Sequence, residues 1–443
     1  MYASIFALLV FSSVLIWIGS LYRDKNSSLD FHLAGRDVGA LRLGASTFTL
    51  IGGGEFVTLT ALSYIYRAWS LIFFGGVALG FLMLALLISR ARANAKSADL
   101  HSLPDYFGYH FGRRGSVTAT VLASISLGAL LLIQLVVGGM LISLTTQLPV
   151  SACIIGMAIV ISIYIYLGGF NGVLATDIVQ AFVMFAVIVL LLFAYSISGG
   201  ASAQAATGYT MPSLGEAAVL FFGGFFAVLG GADVWQRVLS GRDNSSTRKG
   251  LLINAIAWLI FGMFIVALAL KIQVNHPTAD PNNAFFLMLE TGLPDWLSAM
   301  AALLLFSALV STADTEMFVL SVMANKEINR ARKGVEISTK MTKTYVIAIT
   351  FVACILALFL QELVDIYFLL LYLMMILGPV ALARLLGRGS QVLMLTGILG
   401  GVLVLVILIT VGRLSGAYPL LIICPPLLAF LGRCTVPLEV GSE

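Results

Sequence analysis

Residues 47–58 read Thr-Phe-Thr-Leu-Ile-Gly-Gly-Gly-Glu-Phe-Val-Thr, and they interrupt an apolar segment long enough to cross a membrane. Three consecutive glycines are poor helix formers. A backbone break at membrane depth must be enclosed by protein or line a cavity, because unpaired amide and carbonyl groups find no water in lipid. Secondary transporters use such broken helices to present carbonyls to cations. The alternative is a close crossing of two unbroken helices, which small residues also allow.

The composition decides the class of the chain. Of its 443 residues, 60% are hydrophobic and 10% are charged, and the mean hydropathy is +1.03. These values indicate an all-α polytopic membrane protein whose partners include the lipid bilayer. The cysteines and histidines show no metal-ligand spacing, and the sequence contains no GxxxxGK[ST] loop. We therefore expect no enzyme activity, no ATP-driven pumping and no nucleic-acid partner.

Thirteen apolar segments are predicted to span the membrane, which places the N-terminus outside and the C-terminus in the cytoplasm. The positive-inside rule supports this orientation, because only three of the 25 Lys and Arg residues fall on the outer side: Arg67, Lys271 and Arg413. We expect a multi-pass protein of the cell inner membrane that works as a monomer.

The second and seventh spans share a glycine interruption. The seventh span, residues 215–232, carries Gly223-Gly224 and Gly230-Gly231. Each interrupted span opens a set of five helices, and an odd number makes the second set enter from the opposite side, as in an inverted repeat. The pattern predicts a first span and loop (1–37), a core (38–383) divided into repeats 38–213 and 214–383, and two C-terminal spans with a short tail (384–443).

Several short motifs occur in a fixed order along the chain. They are FHLAGR at 31–36, LPDYF at 103–107, YLGGFNGV at 166–173 followed by Thr176-Asp177 and Gln180, Gln236-Arg237, and Ser311-Thr-Ala-Asp314. In these motifs the chain resembles the sodium/solute symporter family, whose members include sugar, proline and sialic acid transporters. The resemblance implies a leucine-transporter-like core with 5+5 inverted repeats and coupling to Na⁺.

The chain departs from the family pattern at several positions. His110 stands where the family usually has arginine, and Glu55 is not a usual residue at its place. The seventh span carries Gly223, Gly224 and Phe226 where sugar and proline transporters have larger polar side chains. The identity of the solute therefore does not follow from the resemblance.

The ninth predicted span, residues 297–323, carries the residues expected to bind sodium. A hard cation prefers oxygen ligands, and the carbonyl of Ala308 shares a helix face with Ser311 and Thr312. The family resemblance implies that these three residues, with the carbonyls of Phe48 and Ile51 at the break, form a first sodium site. The alternative is that both hydroxyls bond to their own helix.

Two carboxylates are candidates for a second ion site. Some family members hold a second sodium there, and the corresponding residues in this chain are Asp177, Ser311, Asp314 and Thr315. Two converging carboxylates repel each other unless a cation or a proton lies between them. The alternative for Asp177 is that it caps the N-terminus of the sixth span.

The substrate candidates cluster around the break. Glu55 can pair with a substrate amine, take a coupling proton, or pair with Arg67 at the outer end of its own span. Gln134 and Phe226 are further candidates for the lining. The full set of expected substrate residues is Gly52, Gly53, Gly54, Glu55, Gln134 and Phe226.

The function predicted from these features is sodium-coupled uptake of a small organic solute, such as an amino acid, a sugar or a carboxylate, by alternating access. No covalent chemistry is expected. Two alternatives remain open. One is a proton-coupled permease that uses Glu55, Asp177 and Asp314, and the other is a solute-sensing membrane module with little transport.

Overall fold

The computed structural model describes residues 2–22, 27–50, 53–198, 211–291, 295–331, 337–359, 363–414 and 416–432. These residues form sixteen α-helices and four 3₁₀ helices. The α-helices are α1 (Tyr2–Leu21), α2 (Ser28–Leu33), α3 (Ala40–Phe48), α4 (Gly53–Tyr66), α5 (Leu71–Leu86), α6 (Ile88–Ala91), α7 (Leu103–Thr146), α8 (Val150–Ser198), α9 (Leu214–Gly230), α10 (Ala232–Ser240), α11 (Asn244–Asn275), α12 (Ala284–Thr291), α13 (Asp295–Ala331), α14 (Thr339–Phe359), α15 (Leu363–Leu385) and α16 (Gln391–Thr410). The 3₁₀ helices are Ala34–Arg36, Arg67–Ser70, Tyr418–Ile422 and Pro426–Leu431.

The predicted count of thirteen membrane spans is not confirmed. By length and apolar composition, the described residues contain eight helices able to cross a membrane, or up to nine when a bent pair counts as one span. The lower count has identifiable causes. Helices α4 and α5 count as one segment, Glu55–Leu86, and the two arms of α8 count as another. The apolar segments Leu8–Leu21 and Tyr418–Leu431 are shorter than the 18 residues required of a span in this count.

Both predicted breaks are present in the backbone. Helix α3 ends at Phe48, the backbone turns at Thr49 and Leu50, and α4 begins at Gly53. Helices α9 and α10 meet at a bend of 45°, where Gly231 adopts an extended conformation (φ −72°, ψ 113°). A Cβ on Gly231 would lie 2.8 Å from the carbonyl oxygen of Ala227, so the close approach requires glycine.

Helix α8 turns sharply at Gly169. The residue has φ +55° and ψ −154°, a region of backbone space that is open essentially to glycine alone. Helical structure resumes immediately afterwards, so α8 contains two helical arms on either side of one residue. The sequence had placed the start of this sixth predicted span at about Asp177, which lies well inside the second arm.

Polar side chains fix the starts of several long helices. Ser102 accepts the backbone N–H of Asp105 at the start of α7, and Asp243 accepts that of Ser246 at the start of α11. Ser213 and Glu216 form a reciprocal capping box at the start of α9. Such caps satisfy amide groups that have no partner within the helix.

Helix α13 lies at the centre of the bundle. Its most apolar window, within Leu305–Asn329, is completely buried, and it packs against α7, α8 and α14. Helix α5 packs between α9 and α11, while α15 packs against α9 and α7. The two broken helix pairs therefore sit against a scaffold of long helices.

A short backbone bridge joins the two broken pairs at one end of the bundle. The N–H of Val38 donates to the carbonyl of Ser240 over 3.2 Å, and the N–H of Arg242 donates to the carbonyl of Val38 over 3.0 Å. An exposed ion pair between Asp37 and Arg242 lies beside the bridge. The start of α3 is thus fastened to the end of α10.

Candidate functional site

The polar face of α13 meets the turn at the end of α3. The hydroxyl of Thr312 donates to the carbonyl oxygen of Thr49 over 2.9 Å and, more weakly, to that of Ala308 over 3.4 Å. Ala308, Ser311 and Thr312 are all buried. The three α13 residues predicted for the first sodium site therefore lie together beside the break.

The carbonyl that Thr312 contacts had not been predicted. Phe48 is the last residue of α3, and its ring stacks on Phe185 with 4.6 Å between centroids. Ile51 and Gly52 lie outside the described residues, and Gly53 and Gly54 begin α4. Thr49 follows directly after Phe48, so this carbonyl lies next to one of the two that the family resemblance implied, and the carbonyls of Phe48 and Ile51 stay predicted ligands.

Asp177 accepts hydrogen bonds from two serines on different helices. The Ser311 hydroxyl donates to Oδ1 over 2.7 Å, and the Ser46 hydroxyl donates to Oδ2 over 2.5 Å. Asp177 is completely buried and lies well inside the second arm of α8. The alternative that Asp177 caps a helix N-terminus is therefore wrong.

Arg237 supplies the positive charge beside Asp177. Its Nη2 lies 3.6 Å from Oδ2 of Asp177 and donates to Oγ1 of Thr315 over 2.8 Å. Its Nε donates to the carbonyl of Ser46 over 3.0 Å. The guanidinium is 1% exposed, so it compensates a carboxylate that water cannot reach. The sequence analysis had quoted Arg237 within a motif but had given it no role.

Asp314 has a different partner. The hydroxyl of Tyr164 donates to Oδ2 of Asp314 over 2.5 Å and lies 3.3 Å from the carbonyl of Val310. The other carboxylate oxygen, Oδ1, makes no hydrogen bond within the described part of the chain. The two aspartates of the predicted second site therefore have different nearest partners. Asp177 lies beside the guanidinium of Arg237, and Asp314 accepts a hydrogen bond from the phenol of Tyr164. No sequence signal identified Tyr164.

A cavity of about 70 Å³ lies between the two helix breaks. We call it the break cavity. Thr47, Leu50 and Glu55 line it from α3, α4 and their connection, while Ala227, Val228 and the segment 231–234 line it from α9 and α10. The remaining wall consists of Phe73, Val77, Phe81, Ser126, Leu127, Leu130, Trp258, Tyr367, Leu370 and Met374.

Glu55 is the predicted substrate residue that lines the break cavity, and Asp233 is an acidic residue that the sequence analysis had missed. Gln134 and Phe226 are buried but do not belong to the described cavity wall; Phe226 instead packs against Gly378. Direct pairing of Glu55 with Arg67 is excluded, because twelve residues of helical rise separate them by roughly 18 Å.

Glu316 is a further carboxylate that sequence reasoning had overlooked. It is completely buried, and neither of its carboxylate oxygens makes a hydrogen bond within the described residues. It lies within electrostatic range of Glu55, Asp233 and Asp314. The side chain of Gln134 approaches this carboxylate, and ionisable groups buried in a membrane span are costly and mark functional sites.

Two histidines pack outside the membrane-spanning helices, near one end of the bundle. Burial lowers the pKa of His32 to about 3. Burial also lowers the pKa of His101 to about 4, with a smaller contribution from Lys326. Nε2 of His32 lies 2.9 Å from the hydroxyl of Thr342. Both rings are therefore neutral at physiological pH.

Two broken helices around a buried cavity, with hydroxyls and carboxylates on a central helix beside them, define a secondary transporter. The family model described as the Sodium:solute symporter family matches residues 31–387. The chain belongs to the sodium:solute symporter family, so it is a membrane transport protein and not an enzyme, and its family implies sodium as the coupling ion.

The chain is similar to a sodium/pantothenate symporter of Haemophilus influenzae, with 23% identity over 323 residues. That match covers 69% of this chain and 66% of the relative, just under two thirds of its length. The fold resembles that of a Na⁺-coupled sialic acid symporter in a substrate-bound, outward-open state (TM-score 0.79, 17% identity, 97% of both chains covered). It also resembles a nucleobase-cation-symport-1 family transporter in a closed conformation (TM-score 0.63, 16% identity, 90% of this chain and 92% of the other). These likenesses support the leucine-transporter-like fold.

Proposed function

We propose that this protein takes up a small organic solute together with Na⁺ by alternating access. In this proposal residues 38–383 form the transport core, with inverted repeats 38–213 and 214–383. Residues 1–37 and 384–443 flank the core. The protein works as a monomer in the cell inner membrane, with its N-terminus outside and its C-terminus in the cytoplasm.

The observation that carries the proposal is the contact between Thr312 and the carbonyl of Thr49. A hydroxyl of the central helix and a carbonyl freed by the helix break come together in a buried place, which is where a hard cation finds oxygen ligands. We assign the first sodium to Ala308, Ser311, Thr312 and the break carbonyls around Phe48, Thr49 and Ile51.

A second sodium is proposed near Asp314. The guanidinium of Arg237 already compensates Asp177, so the carboxylate oxygen available to another cation is Oδ1 of Asp314. Ser311 and Thr315 lie on the same stretch of α13 and provide the hydroxyls. Asp177 then orients Ser311 through its hydrogen bond.

The solute is proposed to bind in the break cavity, beside Glu55 and the glycines 52–54. The sequence predicts an amino acid, a sugar or a carboxylate. The relative from Haemophilus influenzae is a sodium/pantothenate symporter, but an identity of 23% does not transfer a substrate.

Coupling to protons is the second candidate mechanism. Its candidate residues are Glu55, Asp177 and Asp314, and it is favoured by Oδ1 of Asp314, a buried carboxylate oxygen without a hydrogen bond in the described residues. A carboxylate in such surroundings could carry a proton instead of facing a metal ion.

The experiment that tests the function is solute uptake into proteoliposomes under three separate gradients: sodium inward, potassium inward, and protons inward. Uptake that follows the sodium gradient alone supports the proposal. Uptake that follows the proton gradient and does not depend on sodium would indicate that the buried carboxylates couple solute uptake to protons. Solute binding without accumulation under any gradient would indicate a sensing module.

A further inference from the structure

We propose that a pocket at one end of the bundle binds a phosphate group, carried either by an anionic phospholipid or by a soluble phosphate. The pocket, which we call the basic pocket, has a volume of about 360 Å³. The charged residues of its described wall are Arg36, Arg92, Lys96, Arg242 and Asp243. It shares no described wall residue with the break cavity, so this inference goes beyond the proposed function.

Three separate segments of the chain form the basic pocket. Arg36 ends the 3₁₀ helix that precedes α3, and Arg92 and Lys96 lie in the turns between α6 and α7. Arg242 lies between α10 and α11, and the backbone bridge to Val38 joins it to the first segment. The bias of Lys and Arg across the predicted loops assigns all three segments to the cytoplasmic side.

The guanidinium of Arg92 is held by neutral acceptors. It donates to the carbonyl of Asp243 over 2.9 Å, to the carbonyl of Gly241 over 2.5 Å and to the hydroxyl of Thr247. These bonds engage three of its five N–H groups. Within the described residues no carboxylate lies within 4.0 Å of this guanidinium. Arg92 is therefore fixed in place and still has donors for an anion.

Arg36 supplies a second guanidinium, and its side chain is only 6% exposed. It donates to the carbonyl of Leu239 over 3.2 Å and to the carbonyl of Leu100 over 2.8 Å. The exposed carboxylate of Asp99 lies 4.0 Å away and is itself held by Lys326 at 2.8 Å. The contacts of Arg36 are thus mainly with carbonyls, which orient the guanidinium without neutralising it.

The two guanidinium groups act on each other. Burial, with a smaller contribution from the charge of Arg36, lowers the pKa of Arg92 to about 10, while Asp243 acts in the opposite direction. Burial also lowers the pKa of Arg36, against the opposing charges of Asp99 and Asp105. Both groups remain charged at physiological pH, so like charges converge on the basic pocket. An anion bound there would relieve this repulsion and accept charge-assisted hydrogen bonds.

The exposed side of the basic pocket is also basic. Lys96 is exposed and makes no hydrogen bond or ion pair within the described part of the chain. Arg242 pairs with Asp37 through Nε, which leaves its two Nη groups for another partner. The carboxylate of Asp243 is engaged at the start of α11, where it accepts the N–H and the hydroxyl of Ser246. Four basic side chains therefore face one acidic side chain that already serves as a helix cap.

A phosphate group fits this set of donors. Guanidinium forks match the geometry of phosphate oxygens, and an ammonium such as that of Lys96 adds a mobile donor. Basic pockets on the cytoplasmic side of membrane proteins hold the headgroups of anionic phospholipids. Leu86, three residues before the pocket residue Ser89, is 63% exposed, so lipid chains can contact the protein beside the basic pocket. A soluble phosphate offers the same oxyanion without the chains.

The direct test titrates short-chain phosphatidylglycerol into the purified full-length protein in neutral detergent. Phosphatidylcholine of the same chain length is the lipid control, because its choline group neutralises its phosphate. Inorganic phosphate and glycerol 3-phosphate form the soluble arm, with chloride at equal ionic strength as the control. Binding is measured by thermal shift and by calorimetry. We expect phosphatidylglycerol to raise the melting temperature above that in phosphatidylcholine; binding of the soluble phosphates alone would identify them as the source of the phosphate group.

Two lysine variants locate the site. Lys96→Gln should weaken binding by about fivefold, because one basic group at the headgroup is lost. Lys249→Gln is the matched control: Lys249 is exposed at the same end of the bundle but is absent from the described pocket wall, and the substitution removes the same charge. It should leave the affinity nearly unchanged.

Arg92→Gln combined with Lys96→Gln should weaken binding by roughly twentyfold or more. A purely structural role of Arg92 would lower the melting temperature without ligand and leave the affinity of the folded protein as it is in Lys96→Gln alone. The wild-type comparison does not depend on any variant folding.

The inference is overturned if phosphatidylglycerol and the soluble phosphates bind no better than their controls. It is also overturned if Lys96→Gln and Lys249→Gln weaken binding equally, because the attraction would then belong to the whole basic surface and not to the basic pocket. Failure of the proposed symport is a separate result, since it is read from uptake under a sodium gradient and not from these titrations.

Discussion

The hydroxyl of Thr312 lies 2.9 Å from the carbonyl oxygen of Thr49 and donates a hydrogen bond to it. This contact joins the central helix α13 to the turn where α3 ends. A cation entering between these two oxygens would exchange the hydrogen bond for two ligand bonds. The same pair therefore serves as a contact between elements when sodium is absent and as part of the proposed ion site when it is present.

Replacing Thr312 by alanine should weaken sodium binding. Removing one ligand oxygen is expected to raise the sodium concentration for half-maximal uptake by about tenfold, equivalent to about 1.4 kcal/mol. The measurement is the initial uptake rate over a sodium series in proteoliposomes. Thr60→Ala is the control, because the Thr60 hydroxyl bonds to its own helix at Phe56. Equal sodium dependence in both variants would remove Thr312 from the site.

The two aspartates should respond differently to neutralisation. Asp314→Asn alters the carboxylate that has an oxygen without a hydrogen bond, so uptake should lose cooperativity in sodium before it loses maximal rate. Asp177→Asn leaves the Arg237 guanidinium without its anionic partner in a buried place, so it should chiefly reduce folded protein yield. The measurements are the Hill slope of uptake against sodium concentration and the yield of folded protein, for both variants and for the wild type. A wild-type slope near one, unchanged in Asp314→Asn, would argue for a single sodium.

Gly169→Ala should destabilise the turn in α8. A Cβ at this position would require a backbone conformation unfavourable for alanine and would lie 2.5 Å from the ring of Phe31. We expect a loss of about 1–3 kcal/mol from the backbone alone, seen as a lower melting temperature in detergent. Gly156→Ala lies on the same helix with open space around it and should be nearly neutral. Similar melting temperatures for the two variants would contradict this account of the turn.

Stability should fall in mild acid because His32 and His101 are held neutral by the fold. Their folded pKa values, about 3 and about 4, lie below the ordinary value of 6.5. The unfolded chain therefore binds more protons as the pH drops below 6.5, and the free energy of unfolding decreases with falling pH. Melting temperatures between pH 7 and pH 4 test this. His32→Gln should reduce the change of melting temperature with pH. If the variant shows the same change as the wild type, groups other than His32 cause the loss of stability in acid.

The orientation of the chain can be tested with single cysteines in a background without the four native ones. A cysteine at Asn282 should react with an impermeant thiol reagent added from outside whole cells, and a cysteine at Arg114 should react only after the membrane is permeabilised. This pattern follows from the bias of Lys and Arg across the predicted loops. Reversed labelling would overturn the orientation.

The sequence predicted those features that are encoded locally. Gly52–Gly54 and Gly230-Gly231 predict interrupted helices because glycine disfavours a continuous helix. Helix α3 ends shortly before the first group, although Gly53 and Gly54 themselves begin α4, and α9 and α10 meet at Gly231. The symporter family was likewise accessible from short motifs. The predicted start of the helix that contains Asp177 was wrong. The prediction had placed a loop of several residues before this helix, whereas the chain turns at the single residue Gly169.

The contacts between distant segments could not be predicted. Tyr164 meets Asp314 and Arg237 meets Asp177 only after the helices have packed, and no spacing in the sequence relates them. The same is true of Asp233, which looks like an ordinary first-turn acid until the cavity brings it near Glu55. Glu316 follows two residues after the Ser311–Asp314 motif, but its complete burial is a property of the packed bundle.

The backbone bridge between Val38 and Gly241 limits how fast such a carrier can turn over. It fastens one broken pair to the other, so an opening at that end of the bundle must rupture two peptide hydrogen bonds and the nearby ion pair of Asp37 and Arg242. The rupture costs roughly 1–3 kcal/mol, which corresponds to slowing the step by about five- to 150-fold. In the proposed transport cycle these contacts would slow each opening at that end of the bundle, and they would also hold that end closed while no solute is bound.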